Sequence, residues 1–206
     1  MEHIDWDLRK RSAISVRAIT MAAMLGVMAY LFMLIRFPLP FMPPFMDFDI
    51  AAVPELIGAF LGGPVVGVMA VAVKLCLKIA LTGSSSAFTG EMINFMLGCA
   101  FVLPAWFVHS MRRTRRGAVC AMAAGTAVTV IAACFANIYL IIPLYSRMYG
   151  LNMDAVIAMT KAVNGYIDSV PRLVLFGIAP FNLIKCAVSS VITYFLYNRT
   201  VKFFEK

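Results

Sequence analysis

Asn182 and Lys185 lie inside the last long apolar run of the chain, Leu173 to Leu196. Lys185 has twelve residues of that run before it and eleven after it. At about 1.5 Å of rise per helical residue, its ammonium falls near the middle of a membrane span. A cation there costs about 2.5–3.5 kcal/mol on insertion scales unless it meets a partner, a cavity or a ligand. Asn182 precedes it by three residues, so amide and ammonium share one helix face. The amide offers donors and an acceptor, and the ammonium offers three donors. Together they suit the polar edge of a flat heterocycle bearing carbonyls and an N–H. Phe181 and the phenylalanines after the first span can cover its apolar faces. Pro180 lacks a backbone donor and predicts a kink just before the pair.

Other polar groups also interrupt apolar runs. Lys74 and Lys78 stand four apart on one predicted helix face. Glu91 and Asn94 stand one turn apart on the next helix, and Asn137 on the one after. Lys78 and Glu91 read either as a structural ion pair or as lining of an outward-facing cavity. Lys74 has no evident partner. Asn137 taken alone reads as an interhelix hydrogen bond. His3 and His109 fall at or beyond span ends and read as solvated interfacial residues. The five cysteines, Cys76, Cys99, Cys120, Cys134 and Cys186, sit in apolar runs without CxxC spacing. They read as small buried hydrophobes rather than disulfides or metal ligands.

The elements that must hold these groups follow from the apolar runs. Only 14% of the 206 residues are charged, against about 25% in an ordinary soluble domain. The expectation is one all-α membrane domain, residues 1–206, with six transmembrane helices. Span 1 runs from about Ala18 to Ile35. Span 2 starts near Ala52 or Val53, with Pro54 and Glu55 in its first turn, and stops early at Gly62-Gly63-Pro64. Span 3 covers about Val65 to Leu81 and span 4 about Phe88 to Val108. Span 5 covers about Ala118 to Ile142, and span 6 runs from about Pro171 to Tyr197. Between spans 1 and 2, Phe37-Pro38-Leu39-Pro40-Phe41-Met42-Pro43-Pro44 cannot be helical. This proline-rich loop is expected to lie as a lid or plug over the membrane surface of the protein. Asn152-Met153-Asp154 reads as the capped start of a short interfacial helix reaching Val163.

Eleven of the 18 basic residues fall in three places: before span 1, in the Arg112–Arg116 loop, and after span 6. The positive-inside rule then puts both termini, residues 1–17 and 198–206, in the cytoplasm. Topology thus accounts for the net charge of +8 without a nucleic-acid partner. The N-terminal residues to Arg17 are polar and unlike a cleaved signal peptide. No Walker A, HExxH or GxSxG motif is present, nor a GxGxxG following a strand. Acids are few and dispersed, so a membrane enzyme is not expected, and any ATP coupling must come from another chain. A ridge of small residues, Ala18, Ala22 and Gly26, serves either close internal packing or docking of another membrane subunit.

The segments Phe37-Pro38-Leu39-Pro40-Phe41, Asp49-Ile50-Ala51, Val53-Pro54-Glu55-Leu56, Asn137 with Pro143-Leu144-Tyr145, and Pro180-Phe181-Asn182-Leu183-Ile184-Lys185 stand in one order along the chain. In that combination, from Val16 to about Phe203, the chain resembles the riboflavin-specific S components of energy-coupling factor (ECF) transporters. The resemblance implies a multi-pass protein of a prokaryotic plasma membrane, with an outward-opening flavin site under the loop between spans 1 and 2. It implies substrate contacts from Phe48, Ala51, Asn137, Asn182 and Lys185. Phe48 departs from a more usual leucine, which main-chain contacts tolerate, and the segment after Pro143 is longer than usual. The implied partners are riboflavin as cargo, a transmembrane coupling subunit and two ATP-binding subunits, with no cofactor and no catalytic residue. Ala18, Ala22 and Gly26 would then dock the coupling subunit. The alternative is an S component for another heterocyclic vitamin, of thiamine or folate type.

Overall fold

The structure, a computed structural model, describes residues 15–38, 46–84, 88–112, 114–141, 157–158, 161 and 165–204, with side chains to Tyr197 in the last helix. Helix α1 is Val16–Leu34, capped by the Ser15 hydroxyl, which accepts from the Ala18 N–H at 3.2 Å. Helix α2 is Ala52–Gly62. Helix α3 is Pro64–Leu77 and continues as a π turn over Lys78–Thr82. Helix α4 is Thr89–Met111. Helix α5 is Arg115–Ala136, capped by Thr114, and continues as a π turn over Asn137–Ile141. Helix α6 runs through Val170–Leu173, a π turn over Val174–Ile178, and Ala179–Phe204.

Five of these helices are long and apolar enough to cross a membrane: Val16–Leu34, Pro64–Thr82, Thr89–Met111, Arg115–Ile141 and Val170–Tyr197. The 11 residues of α2 rise only about 16 Å, short of the roughly 30 Å hydrocarbon layer. Gly63 ends α2 at φ +92°, a left-handed conformation that a side chain would strain, and Pro64 opens α3 at once. Apolar side chains also cover the outside of the bundle, among them Met24, Leu31, Ile131, Phe135, Val191 and Phe195. Helices apolar on both faces suit a lipid surround rather than water. The basic end of the bundle carries Arg112, Arg115 and Arg116, and the opposite end carries the segment between α1 and α2.

That segment is described only at its two ends. Strands β1 (Phe37–Pro38) and β2 (Asp47–Phe48) pair antiparallel, Phe37 opposite Phe48 and Pro38 opposite Asp47. Residues 39–45, with most of the prolines, lie outside the described residues. Beyond β2 the chain enters the bundle. Met46 packs on a cluster of Ala133, Ile167, Leu173, Val174 and Ile178, and Ala51 is buried with Ala29 and Met33 of α1. Asp49 is buried too. The reason is that α2 is short: a chain that must start a half-length helix inside the bundle has to descend to reach it.

The helix is irregular just before Pro180. Helix α6 passes through it, and the irregular turn lies just upstream, where the Ala179 N–H reaches back five residues to the Val174 carbonyl. Widening that turn relieves the clash between the proline ring and the preceding carbonyls. His109 is buried rather than solvated: Nε2 lies 3.0 Å from the Tyr197 hydroxyl, and its ring packs tilted against Phe60, centroids 4.4 Å apart. Cys76 and Cys120 face outward on the bundle, and Cys186 is buried. The helix expected over Asn152–Val163 lies largely outside the described residues, of which 157–158 and 161 are helical.

Candidate functional site

Lys185 meets a carboxylate. Its Nζ lies 2.8 Å from Asp49 Oδ2, joining the middle of α6 to the segment that descends before α2. The other carboxylate oxygen, Asp49 Oδ1, accepts the Ala51 N–H at 3.0 Å. That bond turns the chain into the first residues of α2 and holds the carboxylate in one orientation. The pair is not dry: 21% of the Lys185 side chain and 8% of the Asp49 side chain are exposed. Burial pushes the Asp49 carboxyl up, but the Lys185 ammonium beside it, Lys74 further off and the Ala51 N–H outweigh burial and hold it below the ordinary carboxylate range.

The two amides come from neighbouring helices. Asn137 Nδ2 donates to the Ala133 carbonyl at 2.8 Å, and Asn182 Nδ2 donates to the Ile178 carbonyl at 2.9 Å. Ala133 and Ile178 belong to one apolar cluster, so the two amides are anchored to carbonyls of the same cluster. Each i−4 bond uses one N–H and fixes the amide plane. A carbonyl acceptor and a second N–H remain in each amide's inventory. Asn137 opens the π turn of α5, and Asn182 follows the π turn of α6 by four residues. Such turns redirect side chains at functional sites.

The structure therefore brings Lys185 and Ala51 together through Asp49, and sets Asn137 and Asn182 over a shared cluster that Met46 also touches. Phe48 is half-buried in β2, and Phe181 is buried. The arrangement has hydrogen-bond donors and acceptors in fixed positions above an apolar floor. It can orient a planar polar-edged molecule. Among the described residues, no cluster of three or more His, Cys, Asp or Glu has the geometry to hold a metal ion.

The remaining intramembrane charges resolve into pairs. Lys74 Nζ lies 2.5 Å from Glu55 Oε1, with 5% and 1% of the side chains exposed. Lys78 Nζ lies 2.5 Å from Glu91 Oε1, and the Ser84 hydroxyl donates to Glu91 Oε2 at 2.8 Å. The Lys78–Glu91 pair is the structural one the sequence allowed. The Glu55–Lys74 pair was not foreseen, because Glu55 had already been explained by its place in the first turn of α2. Asp49 carries no helical periodicity that would mark it as the partner of Lys185. The signal available was charge balance: a buried cation needs an anion, and the chain has few.

The ridge on α1 packs inward. Ala22 is fully buried, and a Cβ at Gly26 would stand 2.6 Å from Val73 of α3. Gly26 lets α1 approach α3, so this part of the ridge takes part in internal packing. Ala18 alone of the three stays partly exposed.

A family model described as ECF transporter, substrate-specific component, matches residues 17–197. The chain is 30% identical over 190 residues to a protein of Staphylococcus aureus named riboflavin transporter RibU, covering 92% of this chain and 93% of the other. It is 28% identical over 192 residues to riboflavin transporter FmnP of Bacillus subtilis, covering 93% and 95%. A solved S component of a bacterial ECF transporter superposes with a TM-score of 0.71 at 27% identity, covering 92% of this chain and 98% of that one.

Proposed function

The chain belongs to the substrate-specific components of ECF transporters, and from that premise we propose that it captures riboflavin at the lid end of the bundle. The observation that carries this reading is the meeting of Lys185 with the Asp49–Ala51 segment, beside two amides fixed over an apolar floor. The relatives named riboflavin transporters, alike over nine-tenths of the chain, support it.

Asn137, Asn182 and Lys185 then read the polar edge of the flavin, while the main chain at Phe48 and Ala51 contacts it from the lid. The ring system supplies affinity by burying a large flat apolar area, and the few polar groups set orientation. Riboflavin is cargo rather than cofactor, and no covalent step occurs. All six helices lie in the plasma membrane, with α2 descending only part of the way and both termini in the cytoplasm. A transmembrane coupling subunit and two ATP-binding subunits in trans drive uptake.

Purified protein is expected to quench the fluorescence of added riboflavin with one-to-one saturation, or to carry a yellow flavin band from the host. Absence of both the band and the quenching would sink the reading.

A further inference from the structure

We propose that the turn between α4 and α5, from Arg112 to Arg116, is a binding site for one phospholipid with an anionic headgroup. The turn lies at the basic end of the bundle, away from the proposed cargo site, and its role stands whether or not the cargo is riboflavin.

The backbone of this turn is tightly bonded. The Arg112 N–H donates to the His109 carbonyl at 3.2 Å, and the Arg112 carbonyl accepts the Thr114 N–H at 2.8 Å. The Thr114 hydroxyl accepts the Gly117 N–H at 3.0 Å, and the Thr114 carbonyl accepts the Ala118 N–H at 2.8 Å. Gly117 permits this path: a Cβ there would stand 1.9 Å from the Arg112 carbonyl oxygen. Arg112, Arg115 and Arg116 are therefore exposed on a fixed backbone. Fixing the chain beneath the guanidiniums before binding spares entropy that a loose tail would lose on binding.

Nothing described in the chain neutralises these arginines. The described carboxylates, Asp47, Asp49, Glu55, Glu91 and Asp168, each serve a cation elsewhere. The first turn of α5 carries no acid, and arginines at the positive end of a helix dipole are unfavourable by themselves. The lid end is the opposite case: Arg36, Lys78, Arg172 and Lys185 each meet a carboxylate. An anion from outside the chain thus gains most at the α4–α5 turn.

The surroundings of the arginines select a lipid. Arg115 and Val119, and Arg116 and Cys120, stand four apart on α5 and so share faces. Val119 and Cys120 are exposed, as are Phe107 and Met111 on α4. Guanidiniums therefore stand one turn above bare apolar side chains, as a phosphate stands above the start of its acyl chains. Arginine meets phosphate oxygens through two parallel N–H donors. A soluble phosphate would use only the arginines, whereas a lipid uses both layers.

The test reads the fluorescence of Trp106, half-buried on α4 six residues before Arg112, in a full-length Trp6→Phe chain in phosphatidylcholine bilayers. Brominated phosphatidylglycerol is expected to quench it at a mole fraction about tenfold below that needed of brominated phosphatidylcholine, saturating at one lipid per chain. That preference should shrink as salt is raised. Each of Arg112→Gln, Arg115→Gln and Arg116→Gln should cut it by about twofold or more, and the triple variant should abolish it while riboflavin still binds. Gly117→Ala keeps every charge but breaks the turn, and should lose most of the preference. Should Gly117→Ala fail to fold, lysine at all three positions keeps the charge without the paired donors and should lose most of it instead.

Equal quenching by the two lipids in the Trp6→Phe chain would overturn the proposal, as would a preference that survives the triple glutamine variant. A full preference in Gly117→Ala, or in the triple lysine variant, would reduce the effect to bulk charge attraction and overturn it as well. Displacement of phosphatidylglycerol by millimolar inorganic phosphate would assign the turn to a soluble anion. Loss of riboflavin binding with the lipid preference intact would touch the cargo reading alone.

Discussion

Glu55–Lys74 and Asp49–Lys185 use the same two kinds of charge, yet their surroundings differ. The first joins two helices, α2 and α3, and is sealed on both sides. The second joins a non-helical segment to α6, and a fifth of its lysine is exposed. A sealed pair must be satisfied by its own members, because desolvation has removed every other partner. A half-open pair with spare donors can exchange or share its partner with an incoming molecule. Burial and backbone context, rather than residue type, therefore separate the structural lysine from the lysine we propose for binding.

The comparison can be broken or sharpened by substitution. Glu55→Ala strands the Lys74 charge in the core, and it should cost about 3–5 kcal/mol in thermal or denaturant unfolding. Glu55→Leu with Lys74→Met should recover most of that loss. A stable Glu55→Ala protein that no longer binds flavin would move this pair into the site. Lys185→Ala should weaken riboflavin binding by about 10- to 150-fold, the worth of a charge-assisted hydrogen bond. Its loss of stability should be smaller than that of Glu55→Ala. Unchanged affinity would take Lys185 out of the ligand shell.

Gly26→Ala tests the packing that holds α1 against α3 and should cost about 1–3 kcal/mol, read as a lowered melting temperature with riboflavin affinity nearly kept. A Gly26→Ala protein of full stability that fails only in the assembled transporter would return the ridge to docking. The smallest effect concerns pH. The Asp49 carboxyl lies below its ordinary value when folded. The stabilisation it gives is thus complete above about pH 3.9, the unfolded value, and is lost only as pH falls through the lower folded value. Riboflavin affinity should stay level between pH 5 and pH 8, and a midpoint within that range would show that Asp49 titrates there.

Much of this was legible in the sequence, for physical reasons. Apolar runs mark helices wherever the solvent is lipid, so the helices fall within a few residues of where hydropathy placed them. Lys185 and Asn182 stood out because a cation in such a run is expensive. Asp49 did not stand out, since it belongs to no run and its proline-rich approach has no periodicity to reveal that it descends. The burial of His109 was hidden for a related reason: a span end looks solvated until another helix covers it. The inward face of Gly26 was equally hidden, because small residues mark closeness without naming the neighbour.

The three π turns, in α3, α5 and α6, all fall toward the lid end. Each amounts to one surplus residue accommodated within a single turn of an otherwise α-helical rod. The surplus is absorbed locally, so residues below it keep their α-helical phase. Loss of one residue at Lys78–Thr82, Asn137–Ile141 or Val174–Ile178 would return the turn to plain α-helix, changing the side chains presented within it and leaving the basic half unmoved. Descendants of this chain thus have a route to a reshaped lid end by single-codon length changes, without rebuilding the basic half of the bundle.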